Sequence, residues 1–205
     1  MNNAFSACSA LENLESIGGW DTRNVTKAST IFQGCIALKF IDFSNWNLSK
    51  ATDTSHMFDD CKQLTKLHLN NFGMENVLDV NHMFADCEAL EILEVSDWDM
   101  SKCEIYSALF NDCRMLKVID VSGWKTSSVK TFEQMFESCH SLQEIIGLEN
   151  FVTTTLNKNV PATVGALAGK IPIAELNEMF KGCHVITEIN LSSFDTKNCG
   201  YFDNM

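Results

Sequence analysis

The residues in this 205-residue chain best able to do chemistry are its nine cysteines. Zinc sites usually draw on local pairs such as C-x-x-C, and the sequence contains none. Instead Cys8, Cys35, Cys61, Cys87, Cys113, Cys139 and Cys183 each follow a phenylalanine by three positions, while Cys103 and Cys199 stand where other segments carry Val25, Val77 and Val129. Positions that exchange Cys for Val are core positions, where a thiol behaves as a small hydrophobe. Buried free thiols are therefore expected. Disulfides between neighbouring copies are the alternative, but stacked parallel side chains hold their Cβ atoms beyond the roughly 3.5–4.5 Å a disulfide prefers. An odd total also leaves at least one thiol unpaired.

The other reactive groups are weaker candidates. His56 and His82 each precede Met-Phe, so a two-histidine metal patch is conceivable, but no third ligand follows the column and solvated surface histidines are expected. His140 and His184 follow core cysteines and should point outward. Gly165-Ala166-Leu167-Ala168-Gly169-Lys170-Ile171 is not a phosphate loop: three residues separate its glycines rather than four, and Ile stands where Ser or Thr belongs. Asn24, Asn47 and Asn190 open N-x-S/T triplets, which coincidence explains in a chain rich in these residues; Asn190 falls in an expected strand. No nucleophile–base–orienter set is recognisable. No catalytic residue, cofactor or metal is expected, and the chain reads as a non-enzyme.

What positions these groups is a repeat. Phe5, Phe32, Phe58, Phe84, Phe110, Phe136 and Phe180 recur at steps of 27, then 26 four times, then 44 residues. Three residues after each cysteine comes Leu11, Leu38, Leu64, Leu90, Leu116, Leu142 or Ile186, then Leu14, Ile41, Leu67, Leu93, Ile119, Ile145 or Ile189. An aromatic closes that half at Trp20, Trp46, Phe72, Trp98, Trp124, Phe151 and Phe194.

Each unit has two periods. Leu116-Lys117-Val118-Ile119-Asp120-Val121 follows L-x-x-L-x-L, so Ile119 and Val121 share one face of a strand. Val129, Phe132, Met135, Phe136 and Cys139 are spaced by three and four, the stripe of a short helix or 3₁₀ segment. The polar turn between them, Ser122 to Ser128, offers Ser and Thr as helix N-caps. One strand and one short helix cannot bury their apolar faces alone, whereas stacked copies can. The expected fold is α/β: a right-handed leucine-rich-repeat solenoid of about seven 26-residue units, with a parallel sheet on one side and short helices on the other.

Two places break the pattern. The first and sixth units carry one extra residue each, near Ser16-Ile17-Gly18-Gly19 and Ile146-Gly147-Leu148, where glycine relieves a bulge. A further insertion of about 17 residues within 152–172 holds both prolines and no acidic residue, and should leave the solenoid as a surface loop. Residues 1–205 are otherwise expected to form a single domain. Neither end shows a polar cap, so a longer array or end-to-end self-association would cover the apolar ends.

The unit M-F-x-x-C-x-x-L-x-x-L-x-L-S-x-W resembles the repeat of BspA-like leucine-rich-repeat proteins, which include mycoplasma lipoproteins of unknown function. Met57-Phe58-Asp59-Asp60-Cys61-Lys62-Gln63-Leu64 and Met83-Phe84-Ala85-Asp86-Cys87-Glu88-Ala89-Leu90 carry it best, with Val121-Ser122-Gly123-Trp124 to Val129. The resemblance implies a leucine-rich-repeat fold and a surface, adhesion or host-interaction role, extracellular or at the cell surface, and it brings no catalytic residues.

Charge narrows the partner class. A net charge of −12 argues against gripping nucleic acid or an anionic bilayer, which require basic residues. No apolar run approaches the ~20 residues of a membrane span, and Met1-Asn2-Asn3-Ala4-Phe5 has no basic-then-apolar signal-peptide pattern. A protein or surface ligand remains, bound on the outward strand face. There Phe40, Ile92 and Val118 beside Asp42, Glu94 and Asp120 would form an apolar strip with an acidic margin. A passive spacer with a solvated sheet face is the alternative.

Overall fold

The computed structural model describes residues 1–153, 176–195 and 204. Six short strands recur along them: β1 Asn13–Leu14, β2 Phe40–Ile41, β3 Lys66–His68, β4 Ile92–Glu94, β5 Val118–Asp120 and β6 Glu144–Ile146. In the longer strands the middle residue is inward and its neighbours outward, as the two-residue period requires. All pairings are parallel and in the repeat's register: Asn13 with Phe40, Leu67 with Leu93, Ile119 with Ile145. The ladder is not one continuous sheet, however. It is three two-stranded pairs, β1–β2, β3–β4 and β5–β6, with β2 against β3 and β4 against β5 in contact. Strands of two or three residues form too few bonds to carry the ladder unbroken.

The expected helices on the opposite side are absent among the described residues, where only two 3₁₀ turns occur, Ser16–Gly19 and Leu148–Asn150. The segments with three- and four-residue apolar spacing are instead chains of tight turns. Backbone N–H groups alternate between two acceptors: Met57 N–H bonds back to Thr54 C=O, Phe58 N–H reaches forward to Met83 C=O, Asp59 N–H returns to His56 C=O, and Asp60 N–H reaches Ala85 C=O. The same forward reach joins Phe32 to Met57, Phe84 to Leu109, Phe110 to Met135 and Phe136 to Met179. No i→i−4 helical bond is needed, because every second N–H finds its partner in the next unit.

Left-handed backbone at fixed positions makes this possible. His56, His82 and Gln134 adopt φ of 53°, 54° and 55°, and Asp60, Asp86 and Asp112 adopt 63°, 55° and 56°. Each such residue reverses the curl that would otherwise wind a helix. Asp and His tolerate this region better than most residues, and Gly34 and Gly182 occupy the aspartate column elsewhere.

Apolar columns fill the space between the two sides. Consecutive rings of the phenylalanine column lie 5.4–5.8 Å apart and nearly parallel, from Phe5–Phe32 to Phe136–Phe180. Trp46, Phe72, Trp98, Trp124 and Phe151 stack as a second column at 6.0–6.4 Å. The outermost members depart from the expected burial because only one neighbour covers them: Cys8 is exposed, Trp20 is 41% exposed and Ile189 36%. Cys183 is half-buried, and Cys199 lies outside the described residues.

The cysteines are more than filler. All eight described thiols are free. Each Sγ from Cys35 onward in the column donates to the phenylalanine carbonyl of the preceding unit: Cys61 to Phe32 at 3.2 Å, Cys87 to Phe58 at 3.2 Å, Cys113 to Phe84 at 3.2 Å and Cys139 to Phe110 at 3.0 Å. Burial pushes the thiols of Cys61, Cys87, Cys103, Cys113 and Cys139 well above their ordinary pKa. The tryptophans do the same with indole N–H: Trp98 to Leu69 C=O at 3.1 Å and Trp124 to Val95 C=O at 2.8 Å. Thr126, expected among helix caps, is buried instead, its hydroxyl donating to Val152 C=O and accepting from Val152 N–H.

Of the 152–172 insertion, only Val152 and Thr153 are described, so the expected loop lies outside the described residues. The columns resume beyond it: Gln134, Phe136 and Ser138 N–H groups bond to Asn177, Met179 and Lys181 C=O. The segment expected as that unit's strand is not a strand, and Asn190 sits in exposed irregular chain.

Candidate functional site

The outward strand face holds the candidate partner-binding residues, and alternation along each strand places them there. Phe40, Ile92 and Val118 are 47%, 40% and 43% exposed, while their inward neighbours Ile41, Leu93 and Ile119 are buried. They do not form one strip. The column between Phe40 and Ile92 is held by Lys66, which pairs across from Ile92, so Phe40 stands apart. Ile92 and Val118 lie on contacting strands, and Glu144 pairs with Val118 on the far side.

The expected acidic margin is partly turned inward on its own backbone. Asp42 Oδ1 accepts from Ser44 N–H at 2.9 Å and Asp120 Oδ1 from Ser122 N–H at 2.9 Å, each closing a local turn. The Ser44 bond holds the Asp42 carboxyl below its usual pKa. Glu94 Oε2 contacts His68 Nδ1 at 2.9 Å and accepts from Asn70 at 3.0 Å; the His68 contact lowers its pKa. Glu94 remains exposed, while Asp42 and Asp120 are half-exposed. One residue of this face was not foreseen: Ile146, 40% exposed and paired across from Asp120. The extra residue of that unit masks Ile146 as the continuation of the outward column Asp42, Glu94 and Asp120.

On the turn side His56 and His82 stack at 4.8 Å. They are half-buried rather than solvated, because the left-handed backbone lays the rings along the column. His56 Nδ1 contacts Asp59 Oδ2 at 2.9 Å. Burial lowers the His82 pKa, and His56 beside it adds to the effect. His140 and His184 point outward and stack at 5.2 Å. Among the described residues no three His, Cys, Asp or Glu side chains converge to hold a metal ion.

Residues 1–118 and 67–163 match the family described as "Mycoplasma protein of unknown function, DUF285". The chain belongs to this family. The kinship read from the repeat columns, to leucine-rich-repeat proteins that include mycoplasma members of unknown function, therefore holds. Among solved structures, the leucine-rich repeat protein of T. pallidum is 21% identical, with 71% of this chain and 61% of that chain covered at a TM-score of 0.45. A leucine-rich repeat protein from Bacteroides ovatus is 21% identical, covering 61% of this chain and 29% of that one at a TM-score of 0.40. A leucine rich cell surface protein from Faecalibacterium prausnitzii is 14% identical, with coverages of 94% and 77% and a TM-score of 0.33. The chain thus spans 61% and 29% of the lengths of the first two. No curated protein matches it. No helix among the described residues is long and apolar enough to cross a membrane.

Proposed function

We propose that this DUF285 chain is a non-enzymatic interaction module of a surface-exposed repeat protein, binding a protein or surface ligand through its outward strand face. In this reading residues 1–205 form one right-handed solenoid of about seven units, with an inserted loop within 152–172. The observation that carries the proposal is the exposure of Phe40, Ile92 and Val118 where every inward neighbour is dry. Large apolar side chains held outward on a rigid face are suited to recognition. Glu94 supplies accessible charge beside Ile92, and Asp42 and Asp120 stand half-exposed at the margins, each held by its own turn.

The test has two steps. A photo-crosslinking amino acid in place of Val118 captures the partner from a panel of purified surface and matrix proteins. The variant Phe40→Ser/Ile92→Ser/Val118→Ser is then titrated against that partner. A loss of roughly 1 kcal/mol or more per anchor residue is expected; unchanged affinity removes this face as the binding site.

A passive spacer within a longer array is the second reading. It is favoured by Lys66 interrupting the apolar residues and by Asp42 and Asp120 closing their own turns. Self-association of the chain belongs with it, and a strictly monomeric protein at high concentration would oppose that association.

A further inference from the structure

The unit that begins at Leu176 is attached at its turn side and again at Asp195, whose backbone donates to and accepts from the Thr153 hydroxyl, but not along the strand segment between them. On the turn side its backbone accepts three bonds of 2.7–2.9 Å from Gln134, Phe136 and Ser138, and Phe180 stacks on Phe136. On the strand side no backbone hydrogen bond joins 186–190 to β6 among the described residues. Between β6 and 186–190 lies a cleft of about 400 Å³, within the usual size of binding clefts, roughly 300–1,000 Å³.

The wall formed by β6 is an open strand edge. Glu144 N–H bonds to Lys117 C=O and Ile146 C=O accepts from Val121, so these two residues direct their backbone toward β5. By the alternation of a parallel ladder, the N–H and C=O of Ile145 between them face the cleft. The chemistry of the lining is lopsided. Ile145, Ile186 and Ile189 give it apolar surface, Glu144, Glu149 and Glu188 give it three carboxylates, and among the described residues no Lys or Arg lines it.

We propose that this cleft binds an extended basic peptide segment of a partner protein, which adds as a strand along β6. Its backbone pairs with the N–H and C=O of Ile145. Apolar side chains on one face settle against Ile186 and Ile189, and basic side chains on the other reach the three glutamates. Strand addition takes affinity from main-chain bonds and specificity from alternate side chains, and the charge complementarity selects a cationic segment. The site contains none of Phe40, Ile92 and Val118, although Val118 pairs with Glu144 on the neighbouring strand.

The test uses the full chain and a fluorescein-labelled hexapeptide alternating lysine and valine. Anisotropy should show saturable binding, and the Ile145 amide should exchange at least tenfold more slowly with peptide bound. Methylating the two central peptide nitrogens should abolish binding. Glu144→Gln/Glu188→Gln should weaken it severalfold, Ile189→Arg should block it, and Phe40→Ser/Ile92→Ser should leave it unchanged. Circular dichroism and protection of the Phe58 and Phe84 amides verify that each variant is folded. The proposal is overturned by absence of saturable binding, by binding that leaves Ile145 exchange unaltered, or by equal binding of the methylated peptide or of hexalysine, which would signify charge attraction alone.

Discussion

The buried thiols make this fold sensitive to alkali, and the effect can be sized. Cys61, Cys87, Cys103, Cys113 and Cys139 are all fully buried, and burial raises each thiol well above its ordinary value of 9.0. Below pH 9 both folded and unfolded chains keep these protons, and stability is unaffected. Above pH 9 the unfolded chain sheds them while the folded chain retains them, so stability falls as pH rises toward the folded values. Each thiol contributes about 1.4 kcal/mol per pH unit once the unfolded form is ionised. At pH 10 five of them cost about 7 kcal/mol, comparable to the whole stability of a typical domain, about 5–15 kcal/mol. Urea unfolding followed by circular dichroism, with reductant, from pH 7 to 10 should show a plateau and then a steep fall beginning near the ordinary thiol value. Cys87→Ala should flatten that fall by about 1.4 kcal/mol per pH unit while costing ~1–2 kcal/mol at pH 7. Stability that stays level from pH 8 to 10 would refute the buried, protonated column.

Other perturbations test separate contacts. Trp124→Phe removes the 2.8 Å bond from its indole to Val95 C=O and should cost about 1–2 kcal/mol in urea unfolding, even though Phe72 and Phe151 occupy the same column. Gly147→Ala should cost about 2 kcal/mol or more, measured the same way, because φ there is 91° and a Cβ would collide with Ser122 Cα. Native-state alkylation read by mass spectrometry should label the exposed Cys8 first and spare Cys61, Cys87 and Cys113 until the chain unfolds; rapid labelling of all four would contradict the packing.

The inward columns were legible because one side chain per position repeats in nearly every unit, as Phe58, Phe84 and Phe110 do, and only a shared dry interior demands that. The turn side was misread for a physical reason. Apolar spacing of three and four suits a helix, but consecutive tight turns bonded to the next unit place Val129, Phe132 and Met135 inward equally well. The distinguishing signal was present in the column Gly34, Asp60, Asp86, Asp112 and Gly182, residue types that tolerate positive φ. On the candidate face, exposure of Phe40, Ile92 and Val118 follows from strand alternation. Whether Asp42 and Asp120 face solvent or cap Ser44 and Ser122 depends on turn geometry that no column reveals. The cleft beside β6 is not legible in the sequence because the repeat columns predict a seventh strand around Ile186 and Ile189, where the structure has irregular chain.

Stacking by backbone bonds from one unit to the next is the central claim, and the Phe58 amide examines it most directly. Scalar coupling across hydrogen bonds, measured by NMR on labelled protein, should connect Phe58 N–H to Met83 C=O, 25 residues ahead, as their 2.9 Å contact requires. Coupling of Phe58 N–H to Thr54 C=O instead would mean a helix in place of the turn ladder, and would contradict the account.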